Sequence, residues 1–126
     1  MDGRARIDHW DVALKHGAAV GATMVGQTNA LTEPPYVWSD QFGLTFQMFG
    51  RPCADDEFIL RPDATPQSYL GFWLRGDIVV AICGLDRARD VAAARRLLQR
   101  PAGTHRSDLA DDAVDLKTLI KTMSRG

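Results

Sequence analysis

Apolar residues recur at helical spacing near the start of the chain, which predicts an amphipathic helix. Asp8 is placed to cap its first turn and Gly26 to end it. One flank of this helix is unusually small. A helical glycine costs about 1 kcal/mol relative to alanine, so such a flank indicates close approach of another backbone. The flank comprises Ala13, Gly17 and Gly21.

Alternating patterns follow and predict β-structure. Residues 44–49 place apolar side chains on one face, and residues 57–61 form a second short strand between two prolines. The runs SYLGFWL and IVVAICG surround Gly76-Asp77, which is typical of a tight hairpin turn. Arg75-Gly76-Asp77 is therefore interpreted as turn chemistry and not as an adhesion motif.

Two helices are predicted after the hairpin. Asp86 can cap the first, which Pro101 ends, and a polar loop leads to the second. Their apolar stripes comprise Val91, Ala94, Leu97 and Leu98, and Leu116, Leu119, Ile120 and Met123. The fold class is α+β: an antiparallel sheet of about four to five strands with C-terminal helices, preceded by one N-terminal helix.

An aromatic segment, YVWSDQFG, lies between the first helix and the first alternating strand. Tyr36, Trp38 and Phe42 surround a polar Ser-Asp pair in what the paired prolines before it suggest is a loop or strand entry. Aromatic side chains there form either a local mini-core or a platform for a ligand. The pattern leaves both interpretations open.

Composition limits the classes of function. The 126 residues suffice for one domain, and 45% hydrophobic and 25% charged residues are typical of a globular protein. A net charge of −1 favours neither nucleic acid nor a membrane as partner. The arginines between residues 87 and 100 are interpreted as a solvated helix surface, with a local basic face as the alternative. Because the first ten residues contain no apolar signal core, a cytoplasmic location is expected.

Candidate chemistry is sparse. None of the three histidines has a neighbour at metal-ligand spacing, and Cys53 and Cys83 are expected to be free thiols, with Cys83 buried. The glycines of GAAVGATMVG lie within a helical pattern, so they cannot form a phosphate loop. Asp8 and His9 place a carboxylate beside an imidazole, which suits either a helix cap or an acid-base pair.

Several blocks resemble a known family. RIDHWDVALKHGAAVGATMVG is similar to the segment RxEHWxxAxxQGxxAAxxMxG of FAD-dependent ferredoxin reductases, and YVWSDQFGLTFQMFG is similar to their FWSDQYxxxxQxxG block. This group includes the putidaredoxin, rubredoxin and biphenyl dioxygenase reductases, with apoptosis-inducing factor as a relative. FWLRGDIVVAICGLDRARDVAAARRLL and DLKTLI resemble the hairpin, helix and last helix of their C-terminal part. His16 departs from the glutamine common there.

The resemblance implies a division of the chain. Residues 1–33 would form the terminal helix of an FAD domain plus a connector, and residues 34–126 the reductase C-terminal α+β domain. Asp8, His9 and Trp10 would sit at the helix head beside the isoalloxazine ring, and Trp38 would approach the flavin and nicotinamide. These four are the expected cofactor-binding residues, and their roles would be positioning, shielding and electronic tuning. No catalytic or metal-binding residue is expected.

The resemblance also implies cofactors and partners. Complete members use FAD and NAD(P)H and pass electrons to a ferredoxin-type iron-sulfur protein. The chain alone, with no GxGxxG segment, is expected to bind neither cofactor and to be inactive. The alternative is an interaction module without catalysis that dimerises through the helix bearing Ala13, Gly17 and Gly21. Under either hypothesis, that helix should be poorly supported, displaced or buried by another copy.

Overall fold

The computed structural model describes residues 6–28, 30–99 and 103–123. The described residues contain four helices and five strands, in agreement with the predicted α+β class. In chain order they are α1 (Trp10–Met24), β1 (Tyr36–Gln41), β2 (Leu44–Gly50), β3 (Glu57–Pro62), β4 (Tyr69–Arg75), β5 (Ile78–Leu85), α2 (Ala88–Gln99), α3 (Arg106–Ala110) and α4 (Leu116–Met123).

The five strands form one antiparallel sheet in the order β1-β2-β5-β4-β3. The predicted hairpin is confirmed, since β4 and β5 pair from Tyr69 and Leu85 to Arg75 and Ile78 around Gly76-Asp77. At Gly76 the φ angle is +66°, which glycine adopts at low cost. Both edges of the sheet, β1 and β3, are open to contacts from other elements.

The core lies on one face of the sheet. Strand register aligns Phe49, Ile82, Phe72 and Ile59 across four strands, so alternation puts all four on the same face. Helices α2 and α4 cover this face with their apolar stripes, as predicted. The buried helical residues are Val91, Ala94, Leu97, Leu116 and Ile120. Trp73 and Phe58 occupy the opposite face, with ring centroids 4.8 Å apart.

Buried Arg61 fixes the segment between α3 and α4. Its side chain, 4% exposed, donates to the main-chain oxygens of Asp108, Leu109 and Val114. The guanidinium thus satisfies carbonyl groups that the end of a short helix leaves without partners. A cation in an apolar strand pattern gave no sequence signal for this role.

Three local predictions are wrong. The segment read as a loop or strand entry is β1, because Tyr36–Gln41 pairs along its whole length with β2. Asp86 does not cap α2: its φ is +52° and its carboxylate accepts from the Thr45 N–H at 2.7 Å. The polar loop before the last helix contains α3. The predicted end of α2 at Pro101 lies outside the described residues.

Candidate functional site

Strand β1 presents an aromatic column on the helical face of the sheet. The rings of Trp38 and Tyr36 stack with centroids 5.3 Å apart, and Tyr36 stacks on Phe49 at 4.3 Å. The Arg95 guanidinium lies 5.0 Å from the centre of the Phe49 ring, close enough for a cation–π contact. The column therefore runs from the core beneath α2 toward the open β1 edge.

The head of α1 meets the outer end of this column. Trp10 packs edge-on to Trp38 with centroids 5.8 Å apart, and His9 does so at 4.4 Å. The structure thus brings together three of the four predicted site residues, although 28 residues separate Trp10 from Trp38. Trp10 remains 66% exposed. His9, Trp10, Tyr36, Trp38 and Phe49 are called the aromatic cluster below.

Asp8 is the predicted site residue that stays outside the aromatic cluster. Its carboxylate pairs with Arg6 at 2.8 Å, and both side chains are exposed. The prediction that Asp8 caps α1 is also wrong, because His9 holds the N-cap position and its Nδ1 accepts from the Asp11 N–H at 3.4 Å. The cap begins one residue later than the capping preference of aspartate suggested.

His9 contacts the main chain of Trp38 as well as its ring. Nε2 lies 3.3 Å from the Trp38 oxygen and 3.4 Å from the Trp38 nitrogen. One imidazole therefore touches the start of α1 and the edge of β1. Sequence reasoning identified His9 only as a cap, an acid-base candidate or a flavin neighbour, because no local spacing signals a contact across 29 residues.

The small flank of α1 has no packing partner within the part of the chain that the structure describes. Ala13, Gly17 and Gly21 are all exposed, and a Cβ built on either glycine would meet no other atom within 4 Å. Leu14 and Met24 are exposed as well, whereas Val12 is the buried residue of this helix. The prediction of a poorly supported helix is confirmed for the isolated chain.

Ion pairs rather than apolar packing connect α1 to α2. Lys15 lies 2.9 Å from Asp11 and 3.1 Å from Glu33, and Glu33 also pairs with Arg95 at 3.4 Å. The hydrogen bond to Asp11, followed by that to Glu33, raises the pKa of Lys15 above its usual value. A cavity of about 430 Å³ lies beside this network, between α1 and residues 30–35.

Helices α2 and α4 form a groove with a basic rim. Arg96, Lys117 and Lys121 line it, and no salt bridge connects any of them to another described residue. Ala92, Ala93 and Ile120 complete its lining, and its volume is about 550 Å³. The alternative interpretation of a local basic face thus applies to Arg96, whereas Arg87 pairs with Asp63 and Asp90. Arg100 lies outside the described residues.

Metal chemistry and membrane insertion find no support in residues 6–28, 30–99 and 103–123. These ranges contain no group of three or more His, Cys, Asp or Glu side chains placed to hold a metal ion. Within the same ranges, no helix has the length and hydrophobicity needed to cross a bilayer.

Comparison with known proteins identifies the family. The family described as "Reductase C-terminal" matches residues 36–120. The chain belongs to the reductase C-terminal family. This match confirms the resemblance to ferredoxin reductases, and it covers the aromatic column, the basic groove and the whole sheet.

Curated relatives of this reductase C-terminal chain are reductase components of dioxygenase systems. It is 36% identical over 116 residues to the anthranilate 1,2-dioxygenase system ferredoxin–NAD(+) reductase component of Burkholderia cepacia, covering 91% of this chain and 29% of that protein. It is 29% identical over 119 residues to the chlorobenzene dioxygenase ferredoxin reductase component of Cupriavidus sp. (strain PS12), covering 94% and 29%. The chain thus spans less than a third of each relative.

Solved structures agree on the fold. A covalent putidaredoxin reductase–putidaredoxin complex gives a TM-score of 0.84 at 24% identity, with 97% of this chain and 29% of that chain covered. Fdr9 gives a TM-score of 0.74 at 27% identity, with 90% and 30% covered. Both matches include α1, because they extend over more of the chain than residues 36–120.

Proposed function

We propose that this chain is the C-terminal portion of an FAD-dependent NAD(P)H:ferredoxin reductase that serves a dioxygenase or P450 system. The observation that carries the proposal is the contact of the α1 head with Trp38. It joins the helix that the resemblance places at the end of an FAD domain to the domain that follows it. The division at residues 33 and 34 is part of the same proposal.

The residues of the α1 head fit one end of a flavin but not a complete binding site. Trp10 offers an exposed indole surface beside the N-terminus of α1, whose dipole stabilises negative charge. Asp8 lies at the same helix end, where its carboxylate is paired with Arg6. The glycine-rich turn that seats a dinucleotide pyrophosphate does not occur in this sequence.

Each site residue then has a defined task. When bound, FAD supplies hydride acceptance from NAD(P)H and single-electron transfer. Trp10 and Trp38 cover the ring and exclude water, since their indoles already meet edge to face. The α1 N-terminus favours the anionic reduced ring. The flank of Ala13, Gly17 and Gly21 lets flavin-domain backbone approach closely, which explains glycines in the middle of a helix.

Partner docking is assigned to the groove between α2 and α4. Arg96, Lys117 and Lys121 place three unpaired cations around an apolar floor. Charge complementarity then calls for an acidic partner, and it accelerates association at low ionic strength. A ferredoxin-type iron-sulfur protein with an acidic surface is the partner proposed.

A chimera tests the proposal. The C-terminal portion of the Burkholderia cepacia reductase is replaced by this chain, and NADH-dependent reduction of its ferredoxin is measured. We expect the chimera to retain FAD and to reduce ferredoxin. Lys117→Glu with Lys121→Glu should slow ferredoxin reduction at low salt while leaving reduction of a small neutral dye unchanged. A correctly folded chimera that loses FAD would contradict the proposal.

The chain alone is proposed to bind no FAD and to be inactive, because most of the surface that would contact the cofactor is missing. FAD titrated into the purified chain should keep the fluorescence of free flavin. Tight stoichiometric binding together with NADH-dependent dye reduction by the chain alone would overturn this part of the proposal.

The second candidate is an interaction module that pairs with itself through the α1 flank. The exposure of Ala13, Gly17 and Gly21 favours it, since close helix packing uses such small residues. Light scattering over a range of concentrations separates the two candidates. A dimer that Gly17→Leu dissociates supports the module, and a monomer with an ordered α1 counts against it.

A further inference from the structure

The main chain of Trp38 faces the open edge of the sheet. The turn between β1 and β2 has two residues, Phe42 and Gly43, so Gln41 and Leu44 form the first hydrogen-bonded pair. Odd-numbered residues of β1 therefore bond to β2, and the bond from the Gly50 N–H to the Pro35 oxygen continues this pattern at 2.9 Å. The N–H and C=O of Trp38 consequently point outward and need other partners.

The His9 imidazole occupies this edge position. Its Nε2 lies 3.3 Å from the Trp38 oxygen, while its Nδ1 accepts from the Asp11 N–H at the start of α1. Nδ1 must be unprotonated to accept, so the proton is on Nε2, which donates to the Trp38 oxygen. The opposite tautomer would face the Asp11 N–H with a second donor and lose the cap.

The same imidazole also fixes the indole. His9 packs edge-on against Trp38 with ring centroids 4.4 Å apart and planes inclined by 74°. Its main-chain and ring contacts with Trp38 together leave neither ring nitrogen free for another ligand. His9 therefore differs from Trp10, whose indole contacts Trp38 while remaining largely exposed.

We propose that His9 is a positioning residue: its neutral Nε2–H imidazole clamps the Trp38 main chain and indole and does not bind a cofactor through its nitrogens. The clamp sets the orientation of Trp38 relative to the head of α1 and closes the β1 edge to strand addition. The inference rests on the proposed function, because Trp38 is the indole proposed to face the flavin. It narrows the role that the resemblance implied for His9.

Nitrogen NMR of the full chain at neutral pH tests the tautomer directly. Long-range proton–nitrogen correlations distinguish a protonated from an unprotonated ring nitrogen in each histidine. We expect His9 to carry its proton on Nε2, whereas the exposed His16 on the same helix should show the averaged signals of an unconstrained ring. A proton on Nδ1 of His9, or averaged signals like those of His16, would overturn the proposal.

Matched variants separate the clamp from the cap. His9→Asn keeps an N-cap acceptor for α1 but has no group that reaches Trp38, whereas His9→Ala loses both. We expect His9→Asn to retain the wild-type helical circular dichroism. Its Trp38 amide should exchange about tenfold faster, as loss of one hydrogen-bonded contact predicts, and the near-ultraviolet tryptophan signal should change.

His16→Ala is the control and should alter neither Trp38 readout. Wild-type Trp38 exchange and near-ultraviolet signal in His9→Asn would overturn the clamp. These measurements involve no flavin. A failed clamp would therefore leave the chimera result intact, and a chimera without FAD would leave the clamp intact.

Discussion

Alanine at Gly17 and Gly21 tests whether the α1 flank is free in this chain. A Cβ at either position meets no other atom within 4 Å, so alanine adds no clash. Each substitution removes the glycine penalty of about 0.8–1.0 kcal/mol in a helix interior. Together they should stabilise α1 by about 2 kcal/mol, which corresponds to about thirtyfold slower local opening.

Hydrogen exchange of the α1 amides measures this gain. Because α1 is held mainly by the His9 contacts and by ion pairs of Lys15, its opening should be local, and the global unfolding midpoint should move less. Gly43→Ala is the control, since its φ of +74° makes alanine strained although space is equally open. That variant should be destabilised by about 1 kcal/mol.

The result that would refute this reasoning is faster exchange of α1 in the double variant. Faster exchange would mean that the flank is already packed against another backbone, as the self-pairing candidate requires. In the chimera the same double variant should have the opposite effect and weaken FAD retention, because the added methyl groups would meet flavin-domain backbone. The opposite signs distinguish a free flank from a flank that waits for a neighbouring domain.

Three further predictions concern the rest of the chain. Arg61→Ala orphans three buried carbonyl groups and should cost at least about 3 kcal/mol in urea unfolding, whereas exposed Arg75→Ala should have little effect; equal costs would contradict the role of Arg61. Burial raises the pKa of Cys83 to about 11, so at pH 8 only about one molecule in a thousand carries its thiolate; half-buried Cys53 should react with a disulfide reagent first, and equal rates would refute this. Hydrogen bonds from the Thr118 hydroxyl and N–H lower the pKa of Asp115, so the stability advantage of wild type over Asp115→Ala should be present at pH 7 and disappear as the pH falls below about 4; an advantage that persists in strong acid would be inconsistent with this cause.

The fold followed from the sequence wherever a pattern was long and regular. The alternation of residues 44–49 and the paired runs around Gly76-Asp77 gave β2, β4 and β5, because one buried face imposes a period of two. Strand β1 was missed, because Ser39 and Asp40 interrupt its apolar pattern at the exposed edge. Asp86 misled because aspartate in the left-handed conformation serves a turn, here by bonding to Thr45, and not a helix cap.

The site was found through resemblance, and its geometry was not. Spacing within α1 or β1 cannot reveal that His9 reaches the Trp38 main chain, since that contact depends on how the helix meets the sheet edge. Arg61 and Arg95 were also missed, because burial of a cation or its approach to the Phe49 ring leaves no periodic signal. Phe42 illustrates the converse: an aromatic assigned to a mini-core is 99% exposed at the hairpin tip.

Flavin fluorescence in the chimera tests the central claim most directly, because a nearby indole quenches an excited flavin by electron transfer. Trp38→Leu should raise the fluorescence of the bound FAD. Trp73→Leu is the matched control, since Trp73 lies on the opposite face of the sheet beside Phe58 and should leave it unchanged. Equal fluorescence in wild type and both variants, with FAD retained in all three, would contradict the placement of Trp38 beside the flavin.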